Sequence, residues 1–203
     1  AVSRSALLYL DLGRFMGRFT SAMRGYVHPA AHRPDDLWNL DNVCACKAYL
    51  PLVVDEDVRA RIERFYRTYE KNCLPKLQYL RKSVIHNDAN EQNLLVGIEG
   101  STAITGLIDF GDMVFATLIN ELAITLAYAL LGEDEIETAA CNIIRGYQQE
   151  FPLVAGEIEV LSDLVAMRLV QSIVMSSKSA NEFPENPYIL ISQKPARALL
   201  KRL

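Results

Sequence analysis

The sequence predicts a mainly α-helical (α+β) domain with one small β-hairpin. Several long stretches repeat apolar residues at spacings of three and four, which is the periodicity of a helix with one buried face. One of them, residues 118–131, is apolar almost all round, so we expect that helix to be buried. Two short apolar runs flank a turn-like segment at residues 97–102, a pattern typical of a hairpin.

The composition fits a single globular domain. The chain has 203 residues, of which 50% are hydrophobic and 23% charged, and its net charge is −4. Without a basic excess, we expect neither nucleic acid nor an anionic membrane as a partner. No apolar run reaches transmembrane length and no signal peptide is visible, so we predict a cytoplasmic protein. We expect its four cysteines to be free thiols: Cys44, Cys46, Cys73 and Cys141.

The first third of the chain predicts two long helices joined by a loop. Residues 3–24 carry one apolar stripe, formed by Leu8, Leu12, Phe15, Phe19 and Met23. Residues 25–36 contain two prolines, which predicts a loop. Trp38 is expected to pack this loop against the rest of the domain. Residues 55–82 form the second helical stretch, with Asp55 as N-cap and a kink or break at Pro75.

The last third predicts a helical bundle. The apolar stretch at residues 118–131 ends at a glycine, and two amphipathic helices follow at 134–151 and 155–179. Arg168 and Gln171 lie at helix positions that could face a cleft, and by default Arg168 is a surface or ion-paired residue. We expect a polar loop at 181–187, a strand-like piece near 188–194 and a final helix at 195–203.

The motifs that carry chemistry lie between residues 83 and 112. His86-Asn87-Asp88 is followed by Asn93, five residues after Asp88, and later by Asp109-Phe110-Gly111. This is the spacing of a kinase catalytic loop followed by a metal-binding loop. In that layout Asp88 accepts the hydroxyl proton of the phosphoryl acceptor. Asn93 and Asp109 supply the oxygen ligands that Mg²⁺ prefers.

The predicted hairpin provides a structural reason for the two predicted metal ligands to lie close together. Its first strand follows Asn93 and its second strand precedes Asp109, so pairing of the strands brings the two metal ligands together. The alternative is a β-hairpin that has polar ends by chance.

These motifs resemble the aminoglycoside phosphotransferase/choline kinase superfamily of small-molecule kinases. Asn87 stands where protein kinases have the Arg of His-Arg-Asp, and too few residues separate Gly111 from Glu121 for an activation segment. Three stretches, GLIDFGDM, NELAITLAYALLG and NPYILISQKPARALLKRL, resemble hydroxylysine kinases. They resemble equally the kinase-like domains fused to bacterial class III aminotransferases. The likeness extends over residues 5–203.

The resemblance implies the C-terminal lobe of a protein-kinase-like fold, formed by residues 1–203. The chain has no G-x-G-x-x-G motif and no strand lysine before the catalytic loop, which are the parts that grip the nucleotide. We therefore expect a missing N-terminal lobe or a fused aminotransferase domain as partner, and an isolated lobe that is inactive. The implied cofactors are Mg²⁺ with ATP or GTP as phosphoryl donor.

The resemblance also suggests supporting and substrate residues. His86 is expected to orient the catalytic loop, and Glu121 to brace it, although the superfamily more often has Asp at that position. Asn90, Asp112 and Glu182 are possible substrate contacts. Each has an ordinary alternative, as a spacer, a turn residue or a solvated side chain.

The implied function is transfer of the γ-phosphate of ATP or GTP to a hydroxyl of a small amine-bearing molecule, such as a hydroxylysine-like amino alcohol. Two alternatives stay open. One is a non-catalytic, substrate-sensing accessory domain of a fused aminotransferase. The other is an antibiotic phosphotransferase of the aminoglycoside type.

Overall fold

The computed structural model describes residues 4–98, 101–191 and 193–203. The α-helices are α1 (Ala6–Met23), α2 (Glu56–Asn72), α3 (Leu74–Leu77), α4 (Asn120–Ala129), α5 (Ile136–Glu150), α6 (Ala155–Glu182) and α7 (Gln193–Leu200). The strands are β1 (Lys82–Ile85), β2 (Leu94–Val96), β3 (Ile104–Leu107) and β4 (Val114–Thr117). Four 3₁₀ segments lie at Pro29–Ala31, Leu40–Leu52, Phe110–Asp112 and Pro187–Leu190. The predicted mainly helical α+β class is confirmed.

The strands form two separate antiparallel pairs. β2 and β3 are the predicted hairpin, with Leu94 opposite Leu107. β1 pairs with β4, with Ile85 opposite Val114. The second pair was not predicted from the sequence, and it encloses residues 86–113 between its two strands.

The core is built around α4 and α6. Every residue of α4 from Asn120 to Ala127 is buried, as its apolar sequence predicts. α6 packs against α4, α2 and the 3₁₀ segment at Leu40–Leu52, so it contacts most layers of the molecule. This placement puts the middle of α6 next to the catalytic loop.

Helices α1 and α5 approach each other along what we call the α1–α5 seam, formed by Gly13 and Gly17 of α1 and Ile143, Gly146 and Tyr147 of α5. A Cβ atom on Gly13 would overlap the carbonyl oxygen of Ile143, and one on Gly146 would overlap the carbonyl oxygen of Leu10. Only glycine permits backbones to approach this closely.

Several predicted boundaries are confirmed and others need correction. Asp55 caps α2, where its carboxylate accepts a hydrogen bond from the Val58 N–H at 3.1 Å. The predicted break near Pro75 is confirmed, since α2 ends at Asn72 and the short α3 begins at Leu74. Pro75 lies in the first turn of α3, where its missing N–H costs no helical hydrogen bond. The predicted extension of the helical stretch to residue 82 is wrong, because Lys82 already belongs to β1.

The C-terminal region also differs from the prediction. α6 continues to Glu182, into the segment expected to be a loop. The strand-like piece predicted near 188–194 is wrong, because this segment begins as the 3₁₀ turn Pro187–Leu190 and α7 starts at Gln193. In the parts of the chain that the structure describes, no helix has the length and apolar character needed to cross a bilayer.

Candidate active site

The predicted motifs lie together in the excursion between β1 and β4. His86 follows β1 directly, and the loop that begins there runs to Asn93 at the start of β2. Asn87 adopts a left-handed backbone conformation with φ of 70°, and Asp109 does so with φ of 62°. Asn and Asp are the non-glycine residues that tolerate this region best. Each of the two predicted loops therefore turns at its first residues.

His86 ties the catalytic loop to the end of β3. Its buried ring donates from Nε2 to the carbonyl oxygen of Ile108 at 3.0 Å and accepts at Nδ1 from the Asp88 N–H at 3.3 Å. This pair of contacts requires a neutral ring with its proton on Nε2. Burial lowers the pKa of His86, which agrees with a neutral imidazole. The ring is thus a structural link in the loop and is poorly placed to act as a base.

Glu121 of α4 supports the backbone of the same loop. It lies fully buried at the start of α4, and its Oε2 accepts from the His86 N–H at 2.5 Å. Among the described residues, its other oxygen, Oε1, is buried without a hydrogen-bond partner. Burial raises the pKa of Glu121 to about 7. One carboxyl group therefore holds the first amide of the loop.

Asp88 is half-buried, and its two carboxylate oxygens are held from opposite sides. Oδ2 accepts from Asn90 Nδ2 and from Asn93 Nδ2, each at 2.9 Å. Oδ1 lies 3.4 Å from Nη2 of Arg168. Burial raises the pKa of Asp88, and the positive charge of Arg168 opposes that rise. Oδ1, with a single long contact, keeps the capacity to accept a proton from a substrate hydroxyl.

The two predicted metal ligands fit a hard cation. Both hydrogen bonds of Asn93 Nδ2 go to Asp88, to its carbonyl oxygen and to Oδ2, so the amide oxygen of Asn93 is the atom left to bind a cation. Asp109 is exposed, and its carboxylate accepts a 3.4 Å bond from the Gly111 N–H. The Ile108 N–H donates to the Asn93 carbonyl at 2.9 Å, which closes the hairpin at the ligand end. Strand pairing thus brings the backbones at Asn93 and Asp109 together, and the role of the two residues as metal ligands stays a prediction.

In the described ranges, no group of three or more His, Cys, Asp or Glu side chains could hold a metal. The donor set at the hairpin is one amide and one carboxylate. Mg²⁺ commonly binds through one or two carboxylates and completes its shell with water and substrate phosphates. The residues present therefore suit a cation that arrives with a nucleotide.

The three predicted substrate contacts lie in different surroundings. Asn90 donates a hydrogen bond to Asp88, and the negative charge of Asp112 contributes to the raised pKa of Asp88. Glu182 lies at the C-terminal end of α6, where it pairs with Lys178 at 2.7 Å. Contact of these residues with a substrate stays a prediction.

Arg168, expected from the sequence to be a surface or ion-paired residue, is a buried, ion-paired residue of this site. Its side chain is 3% exposed and meets the carboxylate of Asp88. The available signal was the apolar residues on both sides of it, Leu164–Met167 and Leu169–Val170, because an arginine in a buried part of a helix needs an opposite charge. The sequence does not show which acid supplies it.

A cavity of about 300 Å³ lies beside the catalytic loop. Its walls come from α1, β2 and α4 and include Leu12, Leu94 and Tyr128, while the loop contributes Ala89 and the exposed Glu91. Mostly apolar walls with a few polar groups are typical of small-molecule sites. Glu91 was not singled out in the sequence, since a spacer position carries no distinguishing pattern.

A helical lobe that presents an Asp-containing loop and a two-stranded hairpin in this order defines the kinase-like fold. The chain belongs to the phosphotransferase enzyme family (APH), whose model matches residues 2–156.

Curated relatives carry one description. The chain is 30% identical over 203 residues to a hydroxylysine kinase of Mus musculus, with 95% of this chain and 54% of the relative covered. It is 31% identical over 199 residues to a hydroxylysine kinase of Xenopus laevis, with 92% and 53% covered. The chain spans about half the length of these relatives. The resemblance to hydroxylysine kinases is confirmed.

Solved structures agree on the fold. Amicoumacin kinase hAmiN, in complex with AMP-PNP, Ca²⁺ and Ami, superposes with a TM-score of 0.63 at 17% identity, covering 98% of this chain and 59% of that one. The GDP complex of aminoglycoside 2'-phosphotransferase-IIIa gives 0.64 at 17% identity, covering 95% and 63%. The relatives and solved structures named above do not support the predicted fused aminotransferase domain or the predicted missing lobe.

Proposed function

We propose that the full-length protein transfers the γ-phosphoryl group of a nucleoside triphosphate to a hydroxyl group of a small amine-bearing molecule. The observation that carries this proposal is the carboxylate of Asp88, whose two oxygens both have fixed contacts. The loop that contains it is held in place by the hydrogen bonds of His86 and Glu121. A carboxylate positioned in this way is suited to accept a hydroxyl proton during transfer.

The acid–base part of the reaction falls to Asp88. An acceptor hydroxyl placed near Oδ1 gives its proton to Asp88 as its oxygen attacks the γ-phosphorus, the bond from that phosphorus to the β-phosphate oxygen breaks, and the nucleoside diphosphate leaves. Asn90 and Asn93 keep Oδ2 occupied, so the proton-accepting oxygen is defined. Most of the rate gain in phosphoryl transfer comes from such positioning and from charge stabilisation.

Asn93 and Asp109 are the residues that would hold Mg²⁺. The ion supplies charge neutralisation for the β- and γ-phosphate oxygens. This chain contributes the free amide oxygen of Asn93 and the exposed carboxylate of Asp109. Both belong to one hairpin, so their spacing is set by strand pairing.

The outer face of the hairpin offers a place for the nucleoside base. Leu95 packs over Gly106, its partner in the neighbouring strand, and is 45% exposed. Ile108, two residues after Gly106, shares this face and is 44% exposed. A flat apolar surface of this kind suits a planar base. It does not distinguish adenine from guanine, so ATP and GTP both need to be tested.

The acceptor we propose is a hydroxylysine-like amino alcohol. Two exposed carboxylates near the loop, Asp112 and Glu91, suit an ammonium group, and the neighbouring cavity suits a short aliphatic chain. The description of the curated relatives as hydroxylysine kinases supports this choice.

The test is phosphoryl transfer by the full-length protein, with ATP and GTP in Mg²⁺, to a panel that contains 5-hydroxylysine, simple amino alcohols and an aminoglycoside. We expect one amino alcohol to be phosphorylated and the activity to be lost on Asp109→Asn. Asp57→Asn, on the exposed surface of α2, is the matched control and should keep wild-type turnover.

Each alternative has its own outcome. Phosphorylation of the aminoglycoside alone would replace the proposed acceptor with an antibiotic. Binding of an amine without turnover of either nucleotide would contradict the catalytic proposal and favour a sensing domain.

A further inference from the structure

Arg168 joins four parts of the chain at one guanidinium group. Nη1 donates to the Trp38 carbonyl oxygen at 3.2 Å, which lies in the segment before the 3₁₀ helix. Nη2 lies 3.3 Å from the Asn87 carbonyl oxygen and 3.4 Å from Asp88 Oδ1, both in the catalytic loop. It also donates to the hydroxyl of Tyr128 on α4 at 3.1 Å. A side chain from α6 therefore grips the loop and two neighbouring elements together.

We propose that Arg168 is the positioning residue of the catalytic loop. By holding Oδ1 of Asp88 and the carbonyl of Asn87, it sets the orientation in which the carboxylate meets the acceptor hydroxyl. This inference rests on the proposed phosphotransferase function and adds to it a residue outside the motifs. Arg168 acts through Asp88 and does not itself contact the substrates.

The hydrogen bonds of Asp88 explain why a second anchor matters. Its Oδ2 is held by Asn90 and Asn93, which belong to the same loop and move with it. Among the described residues, Arg168 is the one side chain of the helical core that contacts the Asp88 carboxylate itself. Glu121 ties the loop to α4 only through the backbone at His86. Without Arg168, the backbone of the loop would still be held, but the orientation of the carboxylate would depend on its own loop alone.

The guanidinium itself is held rigidly. Its central carbon lies 5.1 Å from the ring centre of Trp38 and 5.3 Å from that of Tyr128. Gln171, one turn along α6, accepts from Nη1 at 3.0 Å and is in turn fixed by the Leu37 carbonyl at 2.7 Å. A planar group with several fixed donors suits this environment, and a lysine ammonium reproduces only part of it.

The charges around the site agree with this role. Two acids act on the guanidinium, Asp88 and the buried Glu121. The charge of Asp112 acts on Asp88 in turn, and the ring of His86 accepts from the Asp88 N–H. A buried charge without a partner costs several kcal/mol, so Arg168 and its acids are mutually required. The pairing also explains why an arginine persists in an otherwise apolar part of α6.

The experiment compares Arg168→Met with Arg81→Met in the full-length protein. Arg81 is a matched control because it also pairs with a buried carboxylate, that of Glu157 at 2.6 and 2.8 Å, and lies 4.4 Å from the ring centre of Phe151. We expect Arg168→Met to lower kcat about 100-fold, as a displaced catalytic group does, with the nucleotide KM unchanged. Arg81→Met should lose stability and keep its kcat. Arg168→Lys should recover part of kcat.

A second readout covers the case in which Arg168→Met folds poorly. Hydrogen exchange in peptides spanning residues 86–93 should be faster in Arg168→Lys than in the wild type, and unchanged in Arg81→Met. An unchanged kcat in folded Arg168→Met, or equal losses of kcat in both methionine variants, would overturn the inference while leaving the proposed function intact. A wild-type protein without any phosphoryl transfer would overturn both.

Discussion

The catalytic loop and the α1–α5 seam are organised by opposite means. In the seam, glycines bring two helix backbones into contact, because the absence of a Cβ atom leaves room for the opposing backbone. At the loop, order comes from buried polar groups that each have a defined partner: His86, Glu121, Asp88 and Arg168. The seam should therefore determine stability, and the loop should determine geometry. The following four changes test this division, from the largest expected effect to the smallest.

The sharpest test on the loop side is Asp88→Asn. An amide accepts no proton from a hydroxyl at neutral pH, so we expect kcat to fall about 1000-fold in the full-length protein. Circular dichroism and nucleotide binding should stay close to those of the wild type. Turnover above a tenth of the wild-type value would show that Asp88 is not the base.

On the seam side, Gly146→Ala should cost more than about 3 kcal/mol of unfolding free energy, because the new methyl group meets the backbone of α1 and forces the helices apart. Urea unfolding measures this. Gly156→Ala is the control, since its Cβ would meet only the flexible end of Leu80 at 3.1 Å and the variant should match or exceed wild-type stability. Similar losses in both variants would remove the special role of the seam.

Glu121→Gln tests how much the buried carboxyl group that holds the loop lowers the unfolding free energy as pH rises. The Glu121 pKa rises from 4.5 to about 7 on folding, so the folded chain binds the proton more tightly than the unfolded chain. Stability from this group is complete below pH 4.5 and is lost as pH rises towards 7, by up to about 3 kcal/mol. Glutamine does not titrate, so the unfolding free energy of the variant should fall less steeply between pH 5 and 7.5. Parallel pH profiles for variant and wild type would contradict the raised pKa.

The smallest effect is expected for Tyr147→Phe. The Tyr147 hydroxyl donates to Thr20 Oγ1 at 2.9 Å beside the seam. Phenylalanine keeps the ring and removes only this hydrogen bond. We expect a loss of about 1 kcal/mol, typical of one buried hydrogen bond. Turnover of the folded protein should be unaffected. A changed kcat would link the seam to the loop and weaken the contrast between them.

The sequence predicted those parts of the fold that periodicity encodes. The helices α1, α4, α5 and α6 each carry a regular apolar pattern over several turns, and the hairpin has short strands about a turn. The pairing of β1 with β4 was missed because Val114–Thr117 is too short for a pattern of its own, and its partner lies across the whole catalytic excursion. The 3₁₀ segment Leu40–Leu52 was missed because its apolar residues follow no helical period.

The site divides in the same way. His86, Asp88, Asn93 and Asp109 are close in sequence, so their spacing predicted which of them share a loop or a hairpin end. Arg168 reaches Asp88 from 80 residues away, and only the packing of α6 against α4 brings them together. A motif predicts the arrangement of residues that are close in sequence, whereas the distant residues that support this arrangement are brought together only by the tertiary fold.

The pairing of β1 with β4 has a consequence for how the chain can vary in length. Because the two strands are hydrogen-bonded, the ends of residues 86–113 stay about 5 Å apart whatever lies between them. Doubling a flexible loop costs only about 0.6 kcal/mol of closure entropy. Insertions at the tip of the hairpin, the end remote from Asn93 and Asp109, should therefore leave the reactive groups in place. The strand pair therefore fixes the two ends of this stretch, so that its length can vary between them.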